Sequence, residues 1–491
     1  MPAEQTDLAR SGTRPRTPGH ARPKLAQTEH PTPAERAARG KAARAEVRRS
    51  THADWAPAAD RPDPVELLEE QARTRVPELV PIRYGRMLLS PFAFFRGAAR
   101  VMASDLAPAP RTGLTVQLSG DAHLSNFGVY ASPDRRLVFS LNDFDETLPG
   151  PFEWDVKRLV ASFAVAGRER GFGTKQRRAI NVAAPRAYRL AMRDFAQKRT
   201  LDVWYARLEV EAIVQQWARE VRAKRFHRIE RDLAKQRVKD NLRALAKLTE
   251  VVDGERRIVS DPPLIVPIEE LLPTGGRKRL ARVLQDIFES YRRTIQVDRR
   301  QLLERFRYAH VARKVVGVGS VGTQTWIVLL LGRDDEDPLF LQLKEAQDSV
   351  LEPFLGQRTF ANQGQRVVEG QRLTQSAQDI LLGWTHAPDI DGTSERDYYV
   401  RQLWDEKASA NIESLDAKAM ALYAELCGRT LAHAHARSGD PIALAGYLGR
   451  GKVFERALAS FAETYADQNE RDYAALERAA AEGRVRVETG L

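Results

Sequence analysis

Two polar stretches in the first third of the chain combine residue types that hold a metal ion beside a phosphate. One carries Asp121 and, five residues later, Asn126; the other carries Asp143 and Asp145. Mg²⁺ prefers oxygen ligands, usually one or two carboxylates with substrate phosphates and water. Phosphoryl transfer needs positioning and charge neutralisation more than covalent help. A carboxylate near an acceptor hydroxyl and an Asn/Asp pair on a metal would supply both.

Each polar stretch follows a run of β-forming residues. Residues 113–119 and 136–141 are predicted to form short strands, and loops at strand ends commonly present side chains into clefts. The alternative is that both stretches are ordinary turns, since Gly, Asp, Asn and Ser are the common turn residues. Their occurrence together, separated by one predicted hairpin, favours a functional site.

The spacing within these stretches is that of protein kinases. An Asp-x-x-x-x-Asn segment forms the kinase catalytic loop, in which the Asp takes the hydroxyl proton and the Asn holds Mg²⁺. Asp121 and Asn126 have this spacing, and Asp143-Phe144-Asp145 stands where a kinase has Asp-Phe-Gly, whose Asp also holds Mg²⁺.

A glycine-rich segment and a lysine-bearing strand follow about two hundred residues later. Gly317, Gly319 and Gly322 fit Gly-x-Gly-x-x-Gly around Ser320, a pattern that a tight hairpin alone would also explain. A dinucleotide-binding motif requires a helix directly afterwards, but an apolar strand follows here, and the next strand carries Lys344. Strand, glycine loop, strand and strand with Lys is the kinase arrangement for phosphates.

Period-two alternation places Lys344 on one strand face with Phe340 and Gln342. Because burying a lone charge is costly, this lysine needs an anionic partner. A nucleotide phosphate and a helix glutamate would both serve. Glu352 and Glu369 are the candidates, and Glu369 is favoured because it lies in the middle of a predicted helix.

Two further segments could complete a nucleotide site. Residues 398–403 are predicted to form a strand that ends at Gln402 and Leu403, the natural candidates for a hinge that lines an adenine pocket. Arg83, Arg86 and Arg96 alternate with apolar residues further upstream. These arginines could meet phosphates, although surface ion pairs are the more common role.

Length and composition favour a globular protein of two or three domains, since the chain has 491 residues, 43% hydrophobic and 29% charged. The longest aliphatic run, residues 327–331, is too short to span a bilayer, and the N-terminus has no apolar signal-peptide core. Cys427 is the only cysteine, so no intrachain disulfide can form. We therefore expect a cytoplasmic protein without a membrane span.

The chain is basic, with a net charge of +11, and its first fifty residues hold eleven Lys or Arg and five Asp or Glu. Such an excess could attract nucleic acid, acidic lipid or phosphorylated substrates. A solvated, flexible tail is the simpler interpretation, and no zinc finger, helix-turn-helix or RNA-binding aromatic motif stands out. Nucleic acid is not the expected partner, although the basic tail does not exclude it.

The patterns predict an α+β chain in four parts. We expect a disordered basic tail at 1–45, a mostly helical part with the catalytic and metal loops at 46–305, a β-rich nucleotide-binding part at 306–405, and closing helices at 406–491.

Four segments resemble a large bacterial family catalogued as a domain of unknown function (domain of unknown function 2252). They are residues 88–98, 120–128, 142–159 and 366–373. The resemblance covers about residues 45 to 480, and it implies a family without implying an assigned reaction.

A more distant resemblance is to the aminoglycoside-phosphotransferase branch of kinase-like proteins. That branch has a Gly-Asp-x-His-x-x-Asn loop, an Asp-Phe or Asp-Trp metal motif and a downstream Asp that begins a helix. The resemblance implies that Asp121 is the base, within a catalytic loop that includes His123. It also implies that Asn126 and Asp143 are Mg²⁺ ligands and that Asp155 is a structural buttress.

A kinase places its glycine loop and Lys before the catalytic loop, whereas here they follow it. The order therefore predicts a two-lobed kinase-like fold that is circularly permuted, which is physically permissible where the original termini lie close together. The helix ending at residues 431–437 would then take the place that leads into the catalytic loop. Permutation requires Lys344 to lie across one cleft from Asp143.

We expect an ATP- and Mg²⁺-dependent phosphotransferase acting on an unknown small-molecule or protein acceptor. The alternatives are nucleotidyl (AMP) transfer on the same fold, or a non-catalytic nucleotide-sensing or partner-binding module. The expected site residues are Asp121, His123 and Asn126 for catalysis; Asn126, Asp143 and Asp145 for metal; and Gly317, Gly319, Ser320, Gly322, Lys344, Glu369, Gln402 and Leu403 for the nucleotide.

Overall fold

The computed structural model describes residues 30–220, 241–271, 277–315, 317–356, 360–388, 395–403 and 408–490. Within these ranges the chain has a mixed α/β structure with several small sheets. None of the helices in these ranges is long and apolar enough to cross a membrane.

Helices form most of the described chain. They are α1 (Pro33–Glu46), α2 (Pro64–Ala72), α3 (Val80–Met87), α4 (Pro91–Gly97), α5 (Ala99–Leu106), α6 (Phe152–Glu169), α7 (Thr174–Phe195), α8 (Thr200–Tyr205), α9 (Val210–Glu220), α10 (Asn241–Leu248), α11 (Ile268–Leu271), α12 (Arg277–Arg292), α13 (Val297–Leu303), α14 (Glu352–Leu355), α15 (Gln363–Thr374), α16 (Ala417–Ser438), α17 (Pro441–Leu448) and α18 (Val453–Ala481).

The strands form antiparallel pairs. They are β1 (Thr115–Leu118), β2 (Phe127–Ala131), β3 (Leu137–Leu141), β4 (Leu148–Pro151), β5 (Leu208–Glu209), β6 (Thr249–Val252), β7 (Glu255–Ile258), β8 (Ile265–Pro267), β9 (Arg307–Lys314), β10 (Thr325–Leu331), β11 (Pro338–Glu345), β12 (Gly383–Pro388), β13 (Glu395–Gln402) and β14 (Ala408–Ser409). The largest sheet has the order β12-β13-β11-β10-β9-β8, and a second sheet has the order β14-β2-β3-β5.

Helix α6 forms the centre of the helical part of the molecule. Its residues 159–166 are small or apolar on every side, so the helix can be buried all round. It packs in one large core with residues of α7, α16 and α18. The first turns of α6 therefore form a fixed platform beneath the loop that follows β1.

The six-stranded sheet buries two different faces, as the alternation in the sequence predicts. Leu341 and Leu343 pack in one apolar cluster with Ile287 of α12. On the opposite face, Phe340 packs in a cluster with Leu245 of α10. Because side chains alternate along β11, Gln342 and Lys344 lie on the same face as Phe340.

The predicted disordered tail is wrong for residues 33–45, which form α1. A capping box between Thr32 and Glu35 begins the helix. Arg36 then pairs with Asp440 at 2.8 Å, and Gly40 is buried against α17. Residues 1–29 lie outside the described residues. The Ala-rich sequence did not indicate the partner that makes this helix stable.

The predicted boundary at residue 306 is also wrong. β8 joins the large sheet beside β9, α12 packs on one face of that sheet, and α10 packs on the other. The part of the chain that builds the sheet therefore begins by residue 241. The amphipathic pattern of α12 could not distinguish a helix that covers a sheet from one within a helical bundle.

Gly40→Ala is expected to lower the free energy of unfolding by roughly 1–3 kcal/mol, because a Cβ at this position would lie 1.9 Å from the Ala443 carbonyl oxygen. Alanine normally favours a helix, so a loss of stability would be specific to this contact. Gly451→Ala is the control, because nothing lies within 4 Å of its added Cβ. Urea unfolding that showed Gly40→Ala as stable as wild type would contradict the close packing of α1.

Candidate functional site

The loop after β1, which we call the catalytic loop (residues 119–126), is held from below by Asp155. This carboxylate lies in the first turn of α6 and accepts hydrogen bonds from the backbone N–H groups of Ser119 (2.7 Å) and Gly120 (3.0 Å). It also contacts His435 Nε2 at 3.2 Å. Asp155 is 1% exposed and contacts the site only through these groups, so it is a positioning residue.

Gly120 allows the catalytic loop to approach the loop that carries Asp143 and Asp145. Its φ is +81°, in the left-handed region that favours glycine. A Cβ added there would lie 2.2 Å from the Glu146 carbonyl oxygen. Any larger residue would therefore push the two loops apart.

One oxygen of Asp121 is fixed and the other is free of direct hydrogen bonds. Arg158, one turn after Asp155 on α6, donates to Asp121 Oδ1 at 2.8 Å. Oδ2 faces His123 Nε2 at 3.7 Å, beyond hydrogen-bond distance. Burial raises the pKa of Asp121, and the charges of Arg158 and Arg96 oppose that rise.

His123 is neutral in this loop. Its Nδ1 accepts from the N–H of Ser125 at 3.2 Å, which assigns the ring proton to Nε2. Burial, and next the charge of Arg158, hold the pKa of His123 well below its usual value. Its Nε2 proton therefore faces Asp121 Oδ2 without a direct hydrogen bond, and the neutral ring adds no charge beside that carboxylate.

Asp143 lines the cavity between the loops, and Asn126 lies next to the same loop, because the N–H of Asn142 donates to the Asn126 carbonyl oxygen at 3.1 Å. The Asn126 side-chain NH₂ donates to the Asp121 carbonyl oxygen at 2.8 Å, which turns the amide oxygen to the opposite side. Among the described residues, Asp143 Oδ1 accepts only from the backbone N–H of Asp145, at 3.2 Å. Burial and the negative charge of Asp145 raise the pKa of Asp143. An amide oxygen and a carboxylate are thus available for a cation.

Asp145 is where the three predicted parts of the site meet. Its carboxylate receives Lys344 Nζ from β11, Tyr399 OH from β13 (2.8 Å) and Ser320 Oγ from the glycine segment (3.2 Å). Lys344 is 4% exposed. Burial lowers the pKa of Lys344, but the charges of Asp145, Tyr399 and Asp143 together outweigh burial and raise it. Lys344 therefore lies across one cleft from the loop of residues 142–147, which we call the metal loop.

The predicted pairing of Lys344 with Glu369 is wrong. Glu369 lies on α15 but pairs with Arg372 of the same helix at 2.9 Å. The partner of Lys344 is instead Asp145. The predicted metal ligand Asp145 is therefore already engaged, and it could bind a cation only after losing Lys344.

The glycine segment closes the cleft from above. Residues 318–320 form a short 3₁₀ turn, and Gly322 has a φ of +90°. Arg75 donates to the carbonyl oxygens of Val321 (2.5 Å) and Gly319 (3.0 Å). The predicted residues Gly317 and Gly319 are exposed, whereas Ser320 and Gly322 are buried. The segment thus rests on the helices that precede the catalytic loop.

The predicted adenine-facing residues are engaged within the protein. The backbone N–H of Gln402 and its side-chain amide both donate to Asp379, at 2.5 and 2.8 Å. The N–H of Leu403 donates to the Phe340 carbonyl oxygen at 3.0 Å, and its side chain packs in the cluster that contains Leu245. The rest of the predicted hinge, residues 404–407, lies outside the described residues.

The space enclosed by these parts is small. A cavity of about 30 Å³ is lined by residues of the catalytic loop, the metal loop, the glycine segment and the end of α4. Pockets for drug-sized ligands have volumes of roughly 300–1,000 Å³. The cavity has room for an ion or a water molecule, and a nucleotide would require the glycine segment to move.

The end of α16 lies against the strand that leads into the catalytic loop. Ser438 Oγ accepts from the N–H of Gln117 on β1 at 3.1 Å, although 321 residues separate them. His435, one turn earlier, contacts Asp155. Helix α16 and β1 are therefore neighbours in space.

The sequence pattern missed Arg158 and Tyr399, the partners of Asp121 and Asp145. Arg158 stands three residues after Asp155 on α6, so helical spacing could have placed both on the loop-facing side. Tyr399 is directly opposite Lys344 in the β11–β13 register, which is known only once the strands are paired.

The donor set can be compared with the needs of Mg²⁺. The described residues contain no group of three or more His, Cys, Asp or Glu placed to hold a metal ion. Mg²⁺ does not require such a group, because one or two protein ligands, substrate phosphates and water complete its shell. Asn126 and the sparsely bonded carboxylate of Asp143 fit that pattern.

The chain belongs to a bacterial protein family. A family model described as "Uncharacterized protein conserved in bacteria (DUF2252)" matches residues 75–479. No curated protein and no solved structure matches the chain. The matched range contains the catalytic loop, the metal loop, the glycine segment and Lys344.

Asp155→Ala is expected to lower the free energy of unfolding by roughly 3 kcal/mol, because it leaves two buried N–H groups without acceptors. Asp155→Asn keeps one acceptor oxygen, so it should lower the free energy of unfolding by less than Asp155→Ala does. Asp202→Ala, which removes an exposed pair with Arg199, is the control and should change stability by less than about 0.5 kcal/mol. Equal stability of Asp155→Ala and the control in urea would contradict the buttress role.

Proposed function

We propose that this member of the family is an ATP- and Mg²⁺-dependent phosphotransferase. The observation that carries the proposal is the convergence of Lys344, Ser320 and the Asp143–Asp145 loop, which come from distant parts of the sequence. A lysine, a glycine segment and a metal-type loop in one cleft are the parts that phosphoryl transfer from a nucleotide requires.

The catalytic loop supports a role for Asp121 as the base. Arg158 fixes the carboxylate through Oδ1, and Oδ2, which faces His123 at 3.7 Å, is the oxygen left to accept the acceptor's proton. Asn126 and Asp143 would hold Mg²⁺, which supplies charge neutralisation at the phosphates when bound. The Asp155 carboxylate keeps the catalytic loop in place by accepting hydrogen bonds from the backbone N–H groups of Ser119 and Gly120.

Lys344 is the residue we assign to the nucleotide phosphates. It shares a strand face with Gln342, which is bonded to Arg401 at 3.0 Å. A phosphate entering the cleft would replace the Asp145 carboxylate as the anionic partner of Lys344, so the lysine is never left as a lone buried charge. Release from Lys344 would also free Asp145 to face the metal.

The arrangement supports a permuted kinase-like fold. The glycine segment joins β9 to β10, and Lys344 lies on β11, the next strand of the same sheet, as in kinases. The contact between Ser438 and Gln117 brings the end of α16 to the catalytic loop. In a chain of kinase order, the catalytic loop would follow this helix in the sequence. In this chain the catalytic loop comes much earlier in the sequence than the helix.

Nucleotide binding must include opening of the cleft. The cavity of about 30 Å³ lies beneath the glycine segment, and Arg75 holds that segment by donating to the Val321 carbonyl oxygen. If the open state is a minor one, the apparent affinity falls in proportion to its population. The structure therefore corresponds to the closed form of the cleft under this proposal.

The closed cavity and the internally bonded Gln402 favour one competing function, a partner-binding module that has lost nucleotide turnover. The two proposals differ in one result. The module would bind no nucleotide, or would bind ATP without transferring phosphate to any acceptor or to water.

ATP with Mg²⁺ is expected to raise the thermal stability of the wild type, by about 2.7 kcal/mol at one hundred times the dissociation constant. Asp143→Ala should lose the magnesium-dependent part of this gain, because it removes the available carboxylate. Asp134→Ala, at an exposed loop, is the matched control and should keep the gain.

Asp121→Asn should retain the stabilisation by ATP and Mg²⁺ but lose transfer or ATP hydrolysis by at least about 100-fold, since only the base is removed. Phosphate release and product mass measure this step. Full turnover by Asp121→Asn would refute its role as base, and an AMP adduct in place of a phosphate would favour nucleotidyl transfer.

A further inference from the structure

Arg96 lies at the edge of the catalytic loop, beside Asp121. It lies in the last turn of α4, which Phe94 and Phe95 anchor in the core. Arg158 stacks on the Phe95 ring, 3.9 Å from its centroid, and donates to the Phe95 carbonyl oxygen at 2.7 Å. Because Arg158 also holds Asp121, the helix carrying Arg96 and the base form one packed unit.

Arg96 lines the cleft cavity together with the groups assigned to the reaction. The same cavity is bordered by Asp121, Asp143, Asp145 and Ser320. Arg96 therefore borders the same cavity as the proposed base Asp121 and the glycine segment. The charges of both Asp121 and Asp143 act on the Arg96 guanidinium.

The guanidinium of Arg96 has no direct partner among the residues that the structure describes. Its Nε is buried without a hydrogen bond, and no carboxylate in the described ranges forms an ion pair with it. The buried arginines Arg75 and Arg83 also lack a carboxylate partner, but each donates to protein oxygens, as Arg75 does to the Val321 and Gly319 carbonyls, whereas the described residues offer Arg96 no acceptor. A half-buried cation with unused donors indicates a site for an anion.

The chemistry of the side chain identifies that anion. Guanidinium has a planar set of N–H donors that can bind two oxygens of a phosphate at once. Phosphoryl transfer concentrates charge on the equatorial oxygens of the transferred group, and arginine fingers in other phosphoryl-transfer enzymes neutralise that charge. Arg96 is supplied by the same chain and lies beside Asp121, where the acceptor must approach.

We propose that Arg96 is a catalytic residue that contacts the phosphoryl group during transfer, an inference that rests on the phosphotransferase function proposed above. The acceptor oxygen forms a bond to the γ-phosphorus of ATP as the bond to the bridging oxygen breaks. ADP leaves with the electron pair of that bond, and Asp121 takes the acceptor's proton. Arg96 binds the oxygens of the group in transit and is not needed to bind ADP.

A transition-state analogue tests this role without knowledge of the acceptor. We would measure thermal shifts of the wild type, Arg96→Ala, Arg96→Gln and Arg96→Lys with ADP and Mg²⁺, and again with aluminium fluoride added. Arg100→Ala is the control, because Arg100 lies on α5 and pairs with Glu70. Two neutral variants guard against one that fails to fold.

All five proteins should bind ADP with Mg²⁺ within about threefold of each other. Aluminium fluoride should tighten ADP binding to the wild type and to the control. In Arg96→Ala and Arg96→Gln, aluminium fluoride should tighten ADP binding by about 100-fold less than in the wild type. Arg96→Lys should recover part of this difference.

Equal tightening in the wild type and the neutral variants, including none in either, would overturn the role of Arg96. If the wild type binds neither ADP nor ATP with Mg²⁺, the phosphotransferase proposal itself fails, and the inference fails with it. The binding data without fluoride therefore separate failure of the proposed function from failure of the inference.

Discussion

The buried contact between Lys344 and Asp145 is the interaction on which the arrangement of the cleft depends. Lys344 belongs to the large sheet, and Asp145 belongs to a loop of the helical part. Removing either partner would leave a buried charge without compensation, which commonly costs several kcal/mol. Tyr399 and Ser320 bond to the same carboxylate, so the sheet and the glycine segment are fixed to the metal loop at one point.

The catalytic loop depends on a second fixed point, Asp155 on the central helix α6. Its carboxylate holds two backbone N–H groups of the loop, and its contact with His435 joins the loop to α16. Arg158, on the same face of α6, fixes Asp121. A single buried helix thereby positions the base through its side chain and the loop through its backbone.

Local patterns in the sequence were sufficient to predict the loops that carry Asp121 and Asp143, and to predict which face of β11 carries Lys344. Strand alternation and turn residues depend on neighbours in sequence, so they can be recognised without knowledge of the fold. The partner of Lys344 could not be recognised in this way, because the pattern favoured the helical Glu369, whereas the actual partner Asp145 lies on a loop that only the tertiary fold brings to β11. Glu369 was excluded only by its local pair with Arg372.

The packing partner of α1 and the surroundings of Arg96 could not be read from sequence patterns for a related reason. An Ala- and Arg-rich segment has the same sequence whether it is solvated or packed, and its contact with Ala443 is four hundred residues away. Arg96 alternates with phenylalanines that are buried, but its own burial depends on the cavity beside it. Both features arise from tertiary contacts, and periodicity carries no information about them.

The most direct measurement of the central claim is a crystal structure with Mn²⁺ in place of Mg²⁺ and a non-hydrolysable ATP analogue. The account predicts an anomalous peak for Mn²⁺ beside Asn126 and Asp143, with the phosphates at Lys344 and the glycine segment lifted. Because manganese, like magnesium, prefers oxygen ligands, its position reports the metal site without requiring turnover. A nucleotide bound elsewhere, or a cleft that remains closed and empty at saturating analogue, would contradict the account.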